Sequence, residues 1–299
     1  MTGARDLTIR LSGKWYRSYG TAPCPVCQPE ARKDQNALTL HDGEGGRLLA
    51  NCKRLNCDFR DILAAAGVAP GDHRAPDPFE LARREAEQRN ETARRARIAQ
   101  QSWQEGTPIA GTAAGTYLRR RGITCDLPDK LRYHPACWHG ATAKRFPALV
   151  ALVEGGDGFA VHRTYLSMIA SEKAAKAEIE PNKAMLGATA GGAVRLCEAH
   201  GPLVVAEGIE TALSLACGLL RGPATIWAAL STSGMRGLRL PPKPGRLTVA
   251  MDSDDRGAGK AAGLALAERA SALGWQVSLL PAPEGHDWND VLTMKGGRK

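Results

Sequence analysis

From Pro202 onward, short apolar runs alternate with longer mixed segments. Leu203-Val204-Val205-Ala206, residues 225–230, residues 247–251 and residues 276–280 are the runs; residues 211–220 and the Ala-rich residues 258–273 lie between them. Runs of four to six residues that are apolar on both faces predict buried strands, and the intervening segments predict helices. Strands alternating with helices in this way predict a Rossmann-like parallel sheet covered on both sides. No GxGxxG turn accompanies it, so dinucleotide binding is not indicated. Upstream, residues 106–200 are mixed, with strand-like pieces at 148–153 and 159–166. Residues 79–104 contain no Gly or Pro and are densely charged, which predicts a solvated helix packed only along Leu81 and Ile98. Before it, residues 69–78 carry the turn formers of a linker.

These shifts divide the chain into residues 1–68, a linker with its charged helix at 69–105, a basic subdomain at 106–200 and an α/β domain at 201–299. A length of 299 residues accommodates about two domains and a small module, at roughly 100–200 residues each. Hydrophobic residues make up 43% and charged residues 24%, which excludes wholesale disorder. The apolar stretches fall short of the ~20 residues that cross a bilayer, and residues 1–10 lack an apolar signal core. The expectation is a cytoplasmic protein with no membrane partner. Forty Lys+Arg against 31 Asp+Glu give a net charge of +9, which favours polyanionic partners.

Two constellations carry chemistry. Cys24-Pro-Val-Cys27 and Cys52-Lys-Arg-Leu-Asn-Cys57 offer two pairs of thiolates, the ligand set of structural zinc. The second pair is spaced wider than CxxC, and His41 between the pairs is an alternative ligand. Residues 37–40 and 47–50 predict the two short strands of a zinc ribbon. Around it, Trp15 and Tyr16 with Lys14, Lys53 and Arg54 offer rings to stack on bases and cations to track phosphates, although the rings could equally pack beneath the ribbon.

The second constellation is acidic. Glu207 ends one predicted strand, Asp252 and Asp254 end another, and Asp287 and Asp290 follow the last. Ligand sites of parallel sheets lie at the carboxyl ends of strands, so these side chains are expected to converge. Oxygen-only ligands suit Mg²⁺ or Mn²⁺. The competing reading makes loop carboxylates helix caps, with Asp254 or Asp255 before the 258–273 helix and Glu210 in the first turn after Glu207.

The segments Val204-Val205-Ala206-Glu207-Gly208-Ile209-Glu210-Thr211 and Val249-Ala250-Met251-Asp252-Ser253-Asp254 resemble the two signatures of the Toprim domain. The order of zinc ribbon, basic subdomain and Toprim domain resembles the DnaG-type primases, especially those of phages, plasmids and integrated elements. Departures lie at Ile209-Glu210-Thr211 and in the wider cysteine pair. The resemblance implies an α/β Toprim domain with a mixed α+β middle subdomain, and a nucleotidyltransferase that makes RNA primers on single-stranded DNA. It implies Glu207 as acid/base or metal ligand, and Asp252 and Asp254, with Asp287, as ligands of Mg²⁺ or Mn²⁺. It further implies a groove for template and ribonucleoside triphosphates lined by Arg119, Arg120, Arg121, Arg163 and Lys183. No GxxxxGK[ST] loop is present, so a separate helicase is the expected partner. Other functions open to the same motifs are a Toprim nuclease and a RecR-type single-strand-binding protein of recombination and repair.

Overall fold

The computed structural model describes residues 3–16, 18–32, 34–43, 47–68, 78–170, 173–253 and 257–296. Asp254 and the expected linker at 69–77 lie outside them. The chain divides into two compact units, Met1–Arg89 and Asn90–Lys299. Among the described residues, no helix is long and apolar enough to cross a membrane.

The first unit opens with α1 (Ala4–Arg10), followed by β1 (Lys14–Trp15), β2 (Gly20–Ala22), β3 (Leu38–Asp42), β4 (Leu48–Cys52) and α2 (Phe59–Ala65). The strands form an antiparallel sheet in the order β1-β2-β3-β4, with Leu38 opposite Cys52. Period-two spacing points Leu38 and Leu40 to one face, where they pack with Leu7, Leu48 and Ile62. Helix α1 crosses this sheet so closely that a Cβ on Gly20 would overlap the Thr8 side chain. Asp58 starts α2 by accepting a 2.8 Å hydrogen bond from the Arg60 amide. The two strands expected between the cysteine pairs are therefore present.

Helix α3 (Pro78–Gln104) follows. Its packed face differs from expectation: Ile98 is 40% exposed, whereas Ala99 and Ser102 are buried and Trp103 packs beside them. Small residues allow the helix close to the middle sheet, where Ser102 Oγ lies 3.6 Å from Cys137 Sγ. The side chain of Leu81 lies outside the described residues.

The second unit continues with α4 (Ala113–Arg120), β5 (Leu131–His139), β6 (Lys144–Val153), β7 (Ala160–Ala170), β8 (Lys173–Lys176) and β9 (Lys183–Gly187). These strands form an antiparallel sheet in the order β5-β6-β7-β8, with β9 paired to β7. Next come β10 (Val194–Cys197), β11 (Leu203–Ala206), α5 (Ile209–Ser214), β12 (Thr225–Ala228), α6 (Thr232–Gly237), β13 (Arg246–Met251), α7 (Ala258–Ala272), β14 (Gln276–Pro281) and α8 (Trp288–Gly296).

The C-terminal sheet runs β10-β12-β11-β13-β14. Strands β11 to β14 are parallel, as the apolar runs predict, and β10 is added antiparallel at one edge. All four residues of β11 are buried, as its central place demands. Strand β14 is an edge, so Leu279 stays 46% exposed. The helix expected at 211–220 instead starts at Ile209 and ends at Ser214. A wide turn over Leu215–Leu219 follows, because Gly218 adopts φ 98°, a left-handed conformation that ends helices. Helix α7 lies directly on the sheet: a Cβ on Gly263 would come 2.5 Å from Met251 Cγ.

Candidate functional site

In the first unit, Cys24 and Cys27 lie in the turn after β2, while Cys52 ends β4 and Cys57 precedes α2. The first turn is fixed by Gln28, whose amide donates to Cys24 O at 2.7 Å and whose Oε1 accepts from the Cys24 and Ala37 amides, each at 3.1 Å. The second is closed by Asn56 in the left-handed region (φ 49°), with its amide donating to Cys52 O.

The four sulfurs all lie within 4.8 Å of one another, and Cys27 Sγ is 3.5 Å from Cys52 Sγ. Tetrahedral zinc, with Zn–S near 2.3 Å, holds sulfurs ~3.8 Å apart, so the set fits the metal. Burial and the neighbouring thiols push Cys27 up to about 12. Burial also raises Cys52, but the amides of Leu55, Cys57 and Arg54 outweigh it and bring its thiol down to about 6. The nest thus favours a thiolate that a cation would neutralise. His41 is exposed on β3 and outside the cluster; it does not replace a sulfur.

On the same unit Tyr16 and Tyr19 stack with centroids 5.0 Å apart, and Lys14 Nζ lies 5.5 Å from the Tyr16 ring. Both tyrosines are exposed, whereas Trp15 packs half-buried against the core. Lys53 is exposed, and Arg54 Nη1 donates to Cys27 O at 3.1 Å.

In the second unit, Glu207 follows β11 and Asp252 follows β13, neighbouring parallel strands. Asp287 precedes α8 and is brought across by the loop after β14. There the Ser253 amide donates to His286 O at 3.1 Å, the Gly285 amide to Ser253 O at 3.0 Å and Ser253 Oγ to Ala282 O at 2.7 Å.

Burial, then the charges of Asp287 and Glu207, raise Asp252 to about 6, against hydrogen bonds from Thr211 and the Trp288 backbone. Thr211 Oγ1 lies 3.4 and 3.3 Å from the two Asp252 oxygens. A Cβ on Gly259 would sit 3.3 Å from Glu207 Oε2 and 3.4 Å from Asp252 O, so the start of α7 also lies against both residues. Two carboxylates thus crowd a third, which a hard divalent cation would relieve, although among the described residues it is the four cysteines that gather as a metal-ligand set and not these carboxylates.

Of the residues expected as caps, Asp254 and Asp255 lie outside the described residues and Gly257 stands at the N-cap of α7, while Glu210 does lie in the first turn of α5. A cap not foreseen in the sequence forms before α8. Asp287 Oδ1 accepts from the Asp290 amide at 2.7 Å, and Asp290 Oδ2 accepts from the Asp287 amide at 3.2 Å, a reciprocal capping box.

The expected cations do not form one cluster. Arg119 Nη2 donates to Thr116 Oγ1 at 3.3 Å, and Arg120 Nη1 to Ala174 O at 3.0 Å. Arg121 Nη1 donates to Asn289 Oδ1 at 2.9 Å, while Asn289 Nδ2 returns bonds to Arg121 O and Ser214 Oγ. Arg163 Nη1 donates to Trp138 O at 3.1 Å, and Lys183 Nζ pairs with Glu210 Oε2 at 3.0 Å. Three successive residues at the end of a helix point about 100° apart, so the triple Arg serves three separate partners.

A cavity of about 750 Å³ bordered by Arg119, Leu118, Leu127 and Arg132 includes none of the strand-end carboxylates. Thr211, Ser253 and Gly259 are site residues that the sequence reading passed over. All three act through tertiary contacts that no spacing reveals, Thr211 through its hydroxyl on Asp252.

Comparison with known proteins gives two family matches. A domain of unknown function, DUF7146, matches residues 93–196, and the Toprim domain matches residues 202–298. No curated protein sequence matches the chain. Among solved structures, a DNA primase domain from Pseudomonas aeruginosa is similar at 20% identity and a TM-score of 0.32, over 55% of this chain and 54% of that one. The chain thus spans about half the length of that domain. The Aquifex aeolicus primase, comprising zinc-binding and RNA polymerase domains, is similar at 14% identity and a TM-score of 0.43, over 100% of this chain and 84% of that one. The family match and the parallel sheet with its strand-end glutamate and aspartate together make residues 202–298 a Toprim domain.

Proposed function

We propose that the chain is a DNA primase, making short RNA primers on single-stranded DNA by metal-dependent nucleotidyl transfer in the replication of a mobile genetic element. The observation that carries this reading is the approach of Glu207 and Asp287 to Asp252 at the strand ends of a Toprim domain. Mg²⁺ or Mn²⁺ held by Glu207, Asp252, Asp254 and Asp287 would activate the attacking 3′-hydroxyl and shield the departing pyrophosphate. Thr211 orients the Asp252 carboxylate, and the Ser253–His286 hydrogen bond keeps Asp287 beside it. Glu207 serves as ligand or as acid/base for the hydroxyl proton. Lys183 meets the triphosphate, with Arg119, Arg120, Arg121 and Arg163 along the template path.

In the first unit, zinc on Cys24, Cys27, Cys52 and Cys57 holds the ribbon together. Its exposed Tyr16 and Tyr19, with Lys53 and Arg54, suit stacking on single-stranded bases. Trp15 supports that face from beneath. The protein works in the cytoplasm beside a separate helicase.

The test is incubation with circular single-stranded DNA, labelled ribonucleotides and Mn²⁺ or Mg²⁺, with and without chelator. Labelled oligoribonucleotides that disappear with chelator are expected. Shortening of the DNA in the absence of nucleotides would replace the primase with a nuclease. Salt-sensitive DNA retention with no incorporation would leave a binding protein.

A further inference from the structure

The cysteines outside the ribbon are Cys125, Cys137, Cys197 and Cys217. Two of them meet, although they stand 92 positions apart. Cys125 lies in the loop between α4 and β5, and Cys217 in the wide turn that follows α5. The Cys125 amide donates to Cys217 Sγ at 3.3 Å, and Cys125 Sγ lies 3.9 Å from Leu213 O, near the end of α5. Helix α8 clamps the same two segments. Its Asn289, 3% exposed, donates from Nδ2 to Arg121 O at 2.8 Å and to Ser214 Oγ at 2.9 Å. These anchors stand just before Cys125 and Cys217, so the two sulfurs are held beside each other by a contact that neither of them makes.

Both cysteines are half-buried, so each combines packing against the core with access from solvent. Cys125 also forms part of the wall of the 750 Å³ cavity. Beside Cys217, Gly218 is exposed and a Cβ on it would meet nothing within 4 Å, so the turn borders open space into which it can shift. Cys137 differs: it is 1% exposed and its sulfur faces Ser102. The two thiols of the pair are not equivalent. Burial, then the Cys217 sulfur, push Cys125 up to about 12, which keeps its proton in place. Cys217 has the Cys125 N–H aimed at it, and such a donor steadies negative charge building on a sulfur.

We propose that Cys125 and Cys217 form a reversible disulfide, a redox-modification site closed by a hydroperoxide. The Cys217 thiolate attacks one peroxide oxygen and the O–O bond breaks. Cys217 becomes a sulfenic acid, and the hydroxide released from hydrogen peroxide takes up the thiol's proton as water. The Cys125 sulfur then attacks the Cys217 sulfur. An S–S bond forms, the S–O bond breaks, and the leaving hydroxide takes the Cys125 proton as a second water. Two thiols are oxidised and one peroxide is reduced; a dithiol reverses the bond by exchange. The bond ties the loop after α4 to the turn after α5, the helix whose Thr211 holds Asp252. Nothing in this inference depends on the primase reading.

The experiment exposes the full zinc-loaded chain to hydrogen peroxide, blocks free thiols with N-ethylmaleimide and maps the non-reduced peptides by mass spectrometry. Cleavage after Lys, Arg and Glu separates Cys197 from Cys217, because Glu198 lies between them. A peptide pair joining Cys125 to Cys217, removed by dithiothreitol, is expected, and Cys197→Ser should leave it unchanged.

Dimedone, which traps sulfenic acids, separates the two roles. It should label Cys217 in the Cys125→Ser variant and leave Cys125 unlabelled in the Cys217→Ser variant. Peroxide should also raise the thermal midpoint of the wild type, since the link closes a long loop in the unfolded chain, and Cys217→Ser should lose that shift. Both thiols still alkylated after peroxide, links confined to the ribbon cysteines, or a link formed equally well in the urea-unfolded chain would overturn the proposal.

Discussion

Replacing Asp252 by Asn is expected to lower nucleotide incorporation by at least a hundredfold to about a thousandfold, the scale on which one preorganised electrostatic group acts. The same variant should be no less stable than wild type, and this pairing is the informative part. Asp252 is raised to about 6 by burial, Asp287 and Glu207, so ionising it in the folded protein is unfavourable.

The sign follows from linkage. Between the unfolded pKa near 4 and the folded value near 6, the folded chain holds a proton that the unfolded chain releases. This group therefore destabilises the fold above pH 6, by roughly 3 kcal/mol at most, and that penalty fades as pH falls toward 4. Asn carries no such penalty, so the thermal midpoint at pH 7.5 should hold or rise while incorporation is lost. In the metal-free chain Asp252 takes up its proton as pH falls through about 6, so protons should compete with divalent cations there. A variant with full incorporation, or one that loses activity only because it unfolds, would remove Asp252 from the chemistry.

The second large effect concerns the ribbon. Its core rests on Leu7, Leu38, Leu40, Leu48 and Ile62 together with Cys24 and Cys52, so part of the core is also the metal nest. Structural zinc contributes on the order of 10–16 kcal/mol in small zinc modules. Stripping the metal, or replacing Cys52 by Ser, should therefore unfold this unit and leave the other folded. Hydrogen exchange resolves the two: amides of β3 and β4 should lose protection while those of β11 and β13 keep theirs. Unchanged protection of β3 and β4 after metal removal would mean that the thiols are ordinary core residues.

Much of this was legible in the sequence because the signals were local. β11 is buried on both faces, and its four-residue run has the bounds read from the chain. The Cys24/Cys27 and Cys52/Cys57 pairs announced a tetrahedral nest through spacing alone. What stayed hidden depended on tertiary contacts. Arg119, Arg120 and Arg121 read as one basic patch because they are adjacent, yet helical geometry sends them to Thr116, Ala174 and Asn289. Glu210 read as a first-turn carboxylate favoured by the helix dipole. Its partners Lys176 and Lys183 lie in strands of another sheet, and no periodicity within α5 points to them. Ile98 looked like the packed position of α3 on hydrophobicity, but close approach to the sheet selects Ala99 and Ser102 instead.

The central claim is that Glu207, Asp252 and Asp287 form a pocket that takes up divalent cations. The most direct measurement is Mn²⁺ binding to the zinc-loaded chain, followed by electron paramagnetic resonance at pH 7.5, for wild type and for Asp252→Asn. The account predicts saturable Mn²⁺ binding in the wild type that the variant loses; equal Mn²⁺ binding by the two, or none by either, would contradict it.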